Sequence, residues 1–481
     1  MNLEHYQQEY PQHRDMREKV KQDANRLHFH LMPPTGWMND PNGLCQFQGQ
    51  YHIYFQYTPF LAGWGTKLWG HYTSTDLIHF QEHPPFLFPD TPWDRNGVYS
   101  GSALVHQGNI HYFYTGNVKL TDKKYDYIMQ GREQNTIHLV SQDGFHAHAK
   151  ELVLTNQDYP KSFSKHVRDP KIYPHGGQFY MVLGARDGNS QGCALVYTST
   201  DLSRWEYVDT LRTKEPFGYM WECPDLFDVD HQTVLMVCPQ GIPQQGHHYQ
   251  NVYQCGYFPV RQEGGTFLLD DFQELDYGFD IYAPQTFEDE QGRRILLAWM
   301  GIPDAEYSNS PTVAFDWIHA LTMPRQLVWK DGHLYQHPLE EMKQLRTDAR
   351  ICNIEEFGTW YPNDCCYELT WKSTGESFGN FHIQLRDGVD LTYHNGVLTL
   401  QMSPQCGAGR TVRSLDCGHL WECTVFSDTS SLELFINGGR YTMTTRVYSE
   451  HLLQPVRFIE WDQPTEIYAY TLDSYHVDYL E

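Results

Sequence analysis

GLCQFQGQYHIYF, residues 43–55, has the pattern of a β-strand, a tight turn and a second β-strand. The same pattern returns four times, in SALVHQGNIHYFY (102–114), KIYPHGGQFYMVL (171–183), DLFDVDHQTVLMV (225–237) and TFEDEQGRRILLA (286–298). A second repeated pattern follows the first, because WGHYTSTDLIHFQEH (69–83) resembles LVYTSTDLSRWEYV (195–208). Self-similarity at this spacing indicates a propeller of four-stranded blades. Five units fit between residues 31 and 330.

The regions on either side of the repeats differ from them in composition and periodicity. Residues 1–30 are polar and charged, which favours a helical extension. Residues 331–350 are charged and are expected to form a linker. Residues 351–481 alternate with period two, as in YELTWKS (367–373) and GVLTLQMS (396–403), and predict a β-sandwich. The expected fold is therefore all-β, a five-bladed β-propeller followed by a C-terminal β-sandwich.

A polar motif precedes each of the five units. The motifs are Asn39-Asp40, Tyr99-Ser100, Arg168-Asp169, Glu222-Cys223 and Tyr282-Ala283. Equivalent positions on successive blades converge on the central channel, so we expect these side chains to form one ring. Three of them are acids, and hydrolysis of a glycosidic bond needs two positioned carboxyl groups. A third acid can bind sugar hydroxyls as oxocarbenium charge develops.

Composition narrows the class of ligand. The formal net charge of −25 argues against nucleic acid as a ligand.

No basic start followed by an apolar run is visible, and no apolar run of about 18 residues occurs, so neither a secretory signal nor a membrane span is expected. Eleven cysteines, an odd number, favour free thiols in a reducing cytoplasm. No metal or cofactor is predicted, since adjacent residues such as His247 and His248 point to opposite faces of a strand.

Several motifs, taken in order, resemble those of glycoside hydrolase family 32, the invertase, fructanase and sucrose-6-phosphate hydrolase family. They include WMNDPNG (37–43), YSGS (99–102), HVRDPK (166–171), MWECPD (220–225), FDIYAPQTF (279–287), MPR (323–325) and DTSSLELFINGG (428–439). The resemblance covers most of the chain. It implies a β-fructofuranosidase with a propeller and a sandwich, in agreement with the repeats. Tyr99 is a mild departure, because the family often has Phe there.

The resemblance also assigns roles to individual residues. It makes Asp40 the nucleophile, Glu222 the general acid/base and Asp169 the transition-state stabiliser. Glu222 must hold a proton, and we expect burial beside Trp221 and the field of the other two acids to favour that. Substrate contacts are expected from Trp37, Met38, Asn39, Gln56, Trp64, Tyr99, Ser100, Arg168, Tyr282 and Trp299.

The substrate expected from the resemblance is sucrose 6-phosphate, and Lys67, Lys161, Lys165 and His166 are candidates for holding its phosphate. Plain sucrose and short fructans are alternatives, as is transfer of fructose to a sugar acceptor. A non-catalytic carbohydrate-binding propeller is the alternative outside enzymes. The sequence leaves the oligomeric state open, with a homodimer through the sandwich as one alternative.

Overall fold

The structure, a computed structural model, describes residues 1–263 and 266–480. Strands dominate it, and the helices are short. Helical segments at the start of the chain are Leu3–Glu9, Tyr10–His13 and Arg14–Lys21; later ones are Ser310–Val313, Glu340–Leu345, Ile354–Phe357 and Pro404–Gly407. None of these helices is both long and apolar enough to cross a membrane.

Five antiparallel sheets, which we call blades 1 to 5, follow one another along the chain. Blade 1 comprises Gly36–Phe47, Gln50–Thr58, Leu68–Ser74 and His79–Leu87. Blade 2 comprises Val98–His106, Asn109–Lys119, Arg132–Ser141 and Glu151–Leu154. Blade 3 comprises Phe163–His175, Gln178–Asp187, Gly192–Ser199 and Glu206–Leu211.

Blade 4 comprises Met220–Val229, Gln232–Gln240, Gly256–Glu263 and Thr266–Leu269, with the short strand Gln273–Glu274 beside its third strand. Blade 5 comprises Tyr282–Glu288, Arg294–Trp299, Arg325–Lys330 and His333–Pro338. The first strand of each blade, its inner strand, contacts the inner strand of the next, and that of blade 5 contacts that of blade 1. The ring therefore closes, and the predicted five-bladed propeller is confirmed.

Two distant segments complete blade 1. Trp317–Ile318 pairs in parallel with Gly36 and Trp37 at the inner edge. His476–Asp478 pairs in parallel with the fourth strand, at the outer edge. Blade 1 thus contains chain from the beginning, the middle and the end of the sequence, which joins the two domains through backbone hydrogen bonds.

The predicted β-sandwich is also confirmed, as two six-stranded sheets. One contains Arg346–Asn353, Thr465–Leu472, Tyr367–Ser373, Glu422–Asp428, Ser431–Ile436 and Tyr441–Arg446. The other contains Thr359–Trp360, Val456–Trp461, Phe381–Arg386, Val389–His394, Val397–Met402 and Val412–Asp416. Alternate residues such as Leu369, Ile383 and Leu434 fill the core between them. All eleven cysteines are free thiols.

The segment 331–350, expected as a linker, is largely regular structure. His333–Pro338 is the fourth strand of blade 5, Glu340–Leu345 is a 3₁₀ turn, and the sandwich begins at Arg346. The charged side chains that suggested a linker lie on the 3₁₀ turn and on the edge strand Arg346–Asn353, where one face meets solvent. The propeller therefore extends to Pro338, and only a short turn separates it from the sandwich.

A buried ionic network joins the sandwich to the propeller. Glu433 of the sandwich accepts hydrogen bonds from Arg325 of blade 5, at 3.1 Å from Nε and 2.5 Å from Nη2. Both ring nitrogens of His30 are also engaged, with Asp428 at 2.7 Å and Glu433 at 2.8 Å. The four side chains are fully buried. Burial lowers the pKa of His30, but the hydrogen bonds and charges of the two carboxylates outweigh it and raise the pKa above its usual value, which favours the cation.

We expect Glu433→Ala to lower the melting temperature strongly, because it leaves Arg325 and His30 buried without their shared partner. Breaking a buried ion pair by removing one member costs about 3–5 kcal/mol. Scanning calorimetry measures the effect. The matched control is Asp387→Ala, which removes an exposed carboxylate 2.8 Å from Arg457 in the same domain and is expected to cost less than about 1 kcal/mol. Equal shifts for the two variants would contradict this interpretation.

Candidate active site

Each inner strand is irregular at its polar motif. The pairing register shifts between Met38 and Pro41 in blade 1, and between Val98 and Gly101 in blade 2. Corresponding shifts lie at 168–171, 222–225 and 282–285 in blades 3, 4 and 5. A bulge bends the strand and changes the direction of its side chains. The five bulges therefore turn the motif side chains towards the channel.

Proline follows the motif in four of the five bulges. Because proline has no N–H to donate, it is tolerated where the ladder is interrupted. The residues before three of these prolines, Asp169, Cys223 and Ala283, have φ values of 63°, 48° and 47°. Non-glycine residues rarely adopt this region, and each such residue costs about 1–3 kcal/mol. Three of the five motifs therefore carry backbone strain.

A cavity of about 820 Å³ lies at the centre of the ring. That size suits a disaccharide-class ligand. Asp40, Asp169 and Glu222 all line it, so the three acids do converge on one space. It is larger than two other cavities, of about 660 and 600 Å³, which contain none of the three acids.

Asp40 is held by two side-chain donors. Ser100 donates to Oδ2 at 2.5 Å, and the Asn39 amide donates to Oδ1 at 2.9 Å. Gln56 in turn donates to Ser100 at 2.7 Å, and the indole of Trp37 donates to Asn39 at 2.7 Å. Burial raises the pKa of Asp40, although the two hydrogen bonds to the carboxylate oppose that shift. Its orientation is fixed from two blades at once.

Asp169 is fixed by backbone groups. Its Oδ2 accepts the backbone N–H of Cys223 at 2.9 Å, and its own N–H donates to Thr115 at 2.8 Å. The Cys223 thiol lies 3.8 Å from Asp40 Oδ2, so one residue of blade 4 contacts both carboxylates. Burial raises the pKa of Asp169 to about 7, and the nearby Arg168 charge opposes the rise.

Glu222 is surrounded by donors. The Arg168 guanidinium contacts Oε1 through Nε at 3.2 Å and through Nη2. Tyr282 donates to Oε2 at 2.6 Å, and the Gln240 amide does so at 2.8 Å. Trp221, expected beside this carboxyl, is instead buried in the cluster between blades 3 and 4. Adjacent strand residues face opposite ways, so the indole cannot shield Glu222 as the sequence analysis supposed.

Aromatic side chains form one wall of the cavity. Trp64 is 62% exposed and meets Trp37 edge-on, with centroids 5.9 Å apart. Trp299 is buried but also lines the cavity. Lys67 lies beneath this wall, 4.4 Å from the Trp37 ring centre and 4.8 Å from that of Trp64. Burial lowers the pKa of Lys67 to about 7, which the charge of Asp40 opposes.

The structure places nine of the ten expected substrate contacts on the cavity wall: Trp37, Asn39, Gln56, Trp64, Tyr99, Ser100, Arg168, Tyr282 and Trp299. Met38 is the exception. It is fully buried in the core of blade 1 with residues such as Leu44 and Ile53. Asn39 points to the channel, and the preceding side chain must therefore point away from it.

The cavity also contains residues that sequence reasoning missed. They are Lys119, Leu120, Thr121, Tyr127, Arg132, Gln240, Ile302, Pro303 and Asp304. Most lie on second or third strands and on loops, outside the five motifs. Among the four candidates for a phosphate contact, His166 lines the cavity, whereas Lys161 and Lys165 do not and Lys67 is buried behind the tryptophans.

Elsewhere, one group in the described part of the chain has ligand atoms close enough for a metal ion, with its atoms within 4.8 Å of one another. It comprises His28, Asp364 and Cys366. None of the three lines the cavity.

Comparison with family models gives two matches. The model of the Glycosyl hydrolases family 32 N-terminal domain matches residues 30–338, and that of the Glycosyl hydrolases family 32 C terminal matches residues 414–468. Among curated proteins, the sucrose-6-phosphate hydrolase of Bacillus subtilis (strain 168) is 38% identical over 439 residues, which cover 89% of each chain. The raffinose invertase of Escherichia coli is 38% identical over 435 residues, covering 88% of this chain and 89% of that protein.

Solved structures agree with these matches. The sucrose-6-phosphate hydrolase from Lactobacillus gasseri superposes with a TM-score of 0.85 at 29% identity, covering 96% of both chains. A mutant of the Bombyx mori GH32 beta-fructofuranosidase in complex with sucrose gives a TM-score of 0.80 at 29% identity, over 96% of this chain and 97% of that one. The family model and the relatives span most of this sequence, and the chain belongs to glycosyl hydrolase family 32, as its motifs predicted.

Proposed function

We propose that this β-fructofuranosidase hydrolyses sucrose 6-phosphate to fructose and glucose 6-phosphate, with retention at the fructose anomeric carbon. The observation that carries the proposal is the convergence of Asp40, Asp169 and Glu222 on one cavity beside an exposed tryptophan. Apolar sugar faces stack on such rings. The names of the curated relatives support the phosphorylated substrate. A charged sugar phosphate does not cross a bilayer unaided, so we also propose a cytoplasmic location.

Asp40 is the proposed nucleophile. In the first step one of its carboxylate oxygens attacks the fructose anomeric carbon, and the bond from that carbon to the bridging oxygen breaks. The donors Ser100 and Asn39 hold the carboxylate in one orientation, which reduces the entropy lost on reaching the transition state. The product of this step is a fructosyl ester on Asp40.

Glu222 is the proposed general acid and base. It gives its proton to the bridging oxygen in the first step, and takes one from the water that hydrolyses the ester in the second. Among its partners the Tyr282 hydroxyl can accept as well as donate, so a protonated Glu222 keeps that contact by donating to it. Arg168 stabilises the carboxylate that forms when the proton leaves.

Asp169 is the proposed stabiliser of the transition state. Its Oδ2 is occupied by the Cys223 N–H, while Oδ1 has no partner among the described residues. A pair of fructose hydroxyls can therefore bind it, and their hydrogen bonds strengthen as positive charge develops on the ring.

Replacing the two reacting acids tests the mechanism. We expect Glu222→Gln to reduce kcat/KM for sucrose by about 10²–10⁴-fold, which is the usual contribution of a general acid and base. Asp40→Asn is expected to lose at least as much, because no ester can form. Glu206→Gln, on the exposed outer strand of blade 3, is the control and should retain full activity. Near-normal turnover by either site variant would exclude the assigned roles.

Substrate profiling tests the function itself. The wild-type protein is expected to have a higher kcat/KM for sucrose 6-phosphate than for sucrose, and a lower value for inulin. Product analysis at high sucrose concentration measures transfer to sugar acceptors. Binding of sucrose without release of fructose would instead indicate a carbohydrate-binding propeller.

Asp169 gives a prediction about stability. Because its pKa is raised to about 7, the folded protein holds a proton that the unfolded chain releases, and ionised Asp169 destabilises the fold as pH rises from about 4 to 7. We expect Asp169→Asn to remove this cost, so its melting temperature should rise relative to wild type by more at pH 8 than at pH 5.

The control for this effect is Asp201→Asn. Backbone N–H groups of Arg204 and Ser203 hold the pKa of Asp201 at about 2, so this carboxylate stays ionised in both states from pH 5 to pH 8. The melting temperature of Asp201→Asn should differ from that of wild type by the same amount at pH 5 and at pH 8. A pH-independent difference for Asp169→Asn as well would contradict the raised pKa.

A further inference from the structure

Two cations face each other across the second and third strands of blade 2. Lys119 and Arg132 are direct partners in the antiparallel register, and both line the catalytic cavity. Side chains at such positions lie on one face, with Cβ atoms about 4.5–5.5 Å apart, and like charges there are destabilising. Within residues 1–263 and 266–480, neither cation has a carboxylate partner. An arrangement of this kind is costly unless an anion binds between them.

Arg132 is also pre-organised. Its guanidinium stacks on the ring of Tyr127, 3.7 Å from the centroid, and its Nε donates to the Tyr127 carbonyl at 3.3 Å. The two Nη groups have no partner in the described part of the chain and remain as a planar fork, which suits phosphate oxygens. Burial lowers the pKa of Arg132 to about 10, so it remains cationic at neutral pH.

His166 adds a neutral donor to the same wall. Its Nδ1 accepts a hydrogen bond from Arg168 at 2.7 Å, so in the neutral ring Nε2 carries the hydrogen. That Nε2 is buried and has no partner among the described residues. Burial and the charges of Arg168 and Arg132 lower the pKa of His166, which keeps the ring neutral. A buried donor without an acceptor is costly and indicates a ligand oxygen.

We propose that Lys119, Arg132 and His166 form a subsite for the phosphate group of a phosphorylated hexose, next to the carboxylates. This inference rests on the proposed function, because it says which residues bind the phosphate group of sucrose 6-phosphate. The protein carries a net charge of −25, so a dianionic substrate needs local cations of this kind. The other charged side chains on the cavity wall are the acids Asp40, Asp169, Glu222 and Asp304, and Arg168, which is paired with Glu222.

The position of the subsite agrees with the chemistry. Glu222 protonates the oxygen of the departing glucosyl group, so that group must lie on the Glu222 side of the bond being broken. Arg168 connects the subsite to Glu222, because it donates to Glu222 at 3.2 Å and to Nδ1 of His166 at 2.7 Å. A phosphate on the leaving sugar therefore approaches blade 2, whereas the fructosyl ring faces Asp40 and Asp169. Retention of the phosphate contacts in the transition state would raise kcat/KM.

The test compares two substrates and several variants. In Arg132→Gln and Lys119→Gln, we expect the ratio of kcat/KM for sucrose 6-phosphate to kcat/KM for sucrose to fall by about tenfold to a hundredfold, the usual effect of losing a charge-assisted contact. Arg132→Lys keeps the charge but loses the planar guanidinium fork. Its ratio of the two kcat/KM values should therefore lie between those of wild type and Arg132→Gln. Lys165→Gln is the matched control, since Lys165 precedes His166 but does not line the cavity. A ratio unchanged in both Gln variants would overturn the inference.

Direct binding separates this inference from the proposed function. Calorimetry should show that wild type binds glucose 6-phosphate more tightly than glucose, that inorganic phosphate competes, and that Arg132→Gln removes the difference. If wild type cleaves sucrose and sucrose 6-phosphate equally but glucose 6-phosphate still binds through Arg132, the substrate preference is wrong and the subsite stands. If wild type prefers the phosphorylated substrate and the Gln variants retain that preference and the binding, the subsite is wrong and the function stands. Thermal melts of each variant confirm that it is folded.

Discussion

Five inner strands meet around the channel without a common backbone ladder, so their relative positions depend on bonds from one blade to the next. Asn42 accepts the backbone N–H of Gly101 at 3.1 Å, and Ser102 donates to the carbonyl of Pro170 at 2.8 Å. Further round, Asp225 accepts the N–H of Thr286 at 2.6 Å. The Asp169 carboxylate is itself such a bond, to Cys223. The groups that hold the ring and the groups that line it are therefore neighbours on the same bulges.

Buried charged groups have different hydrogen-bonding surroundings at the domain junction and in the central channel. At the domain junction, Arg325, Glu433, His30 and Asp428 satisfy one another, which makes the junction rigid. In the channel, the Asp169 and Arg132 side chains keep polar atoms that no described residue satisfies. Polar atoms without a partner on a cavity wall are available to a ligand. Glu222, on the same wall, has several hydrogen-bond partners, so the channel combines satisfied carboxylates with groups that can still bind a ligand.

The sequence predicted the architecture because the repeated strand-turn-strand pattern and the five polar motifs are local signals in phase with each other. It failed where the direction of a side chain depends on strand geometry, as for Met38 and Trp221, each adjacent to a residue that does face the channel. Lys119 and Arg132 could not be found from the motifs, since only the pairing register brings them together. The segment 331–350 was mistaken for a linker because its 3₁₀ turn and the edge strand that follows are charged, as a linker is.

Blade 1 has a consequence for synthesis of the protein. Its inner edge is completed by Trp317–Ile318 and its outer edge by His476–Asp478, both of which leave the ribosome long after the blade's own four strands. At about 5–20 residues per second, the wait lasts on the order of tens of seconds. During translation the nascent blade therefore exposes two open strand edges, which other chains can pair with. The outer edge of the first blade therefore stays unpaired until the last strand has been synthesised.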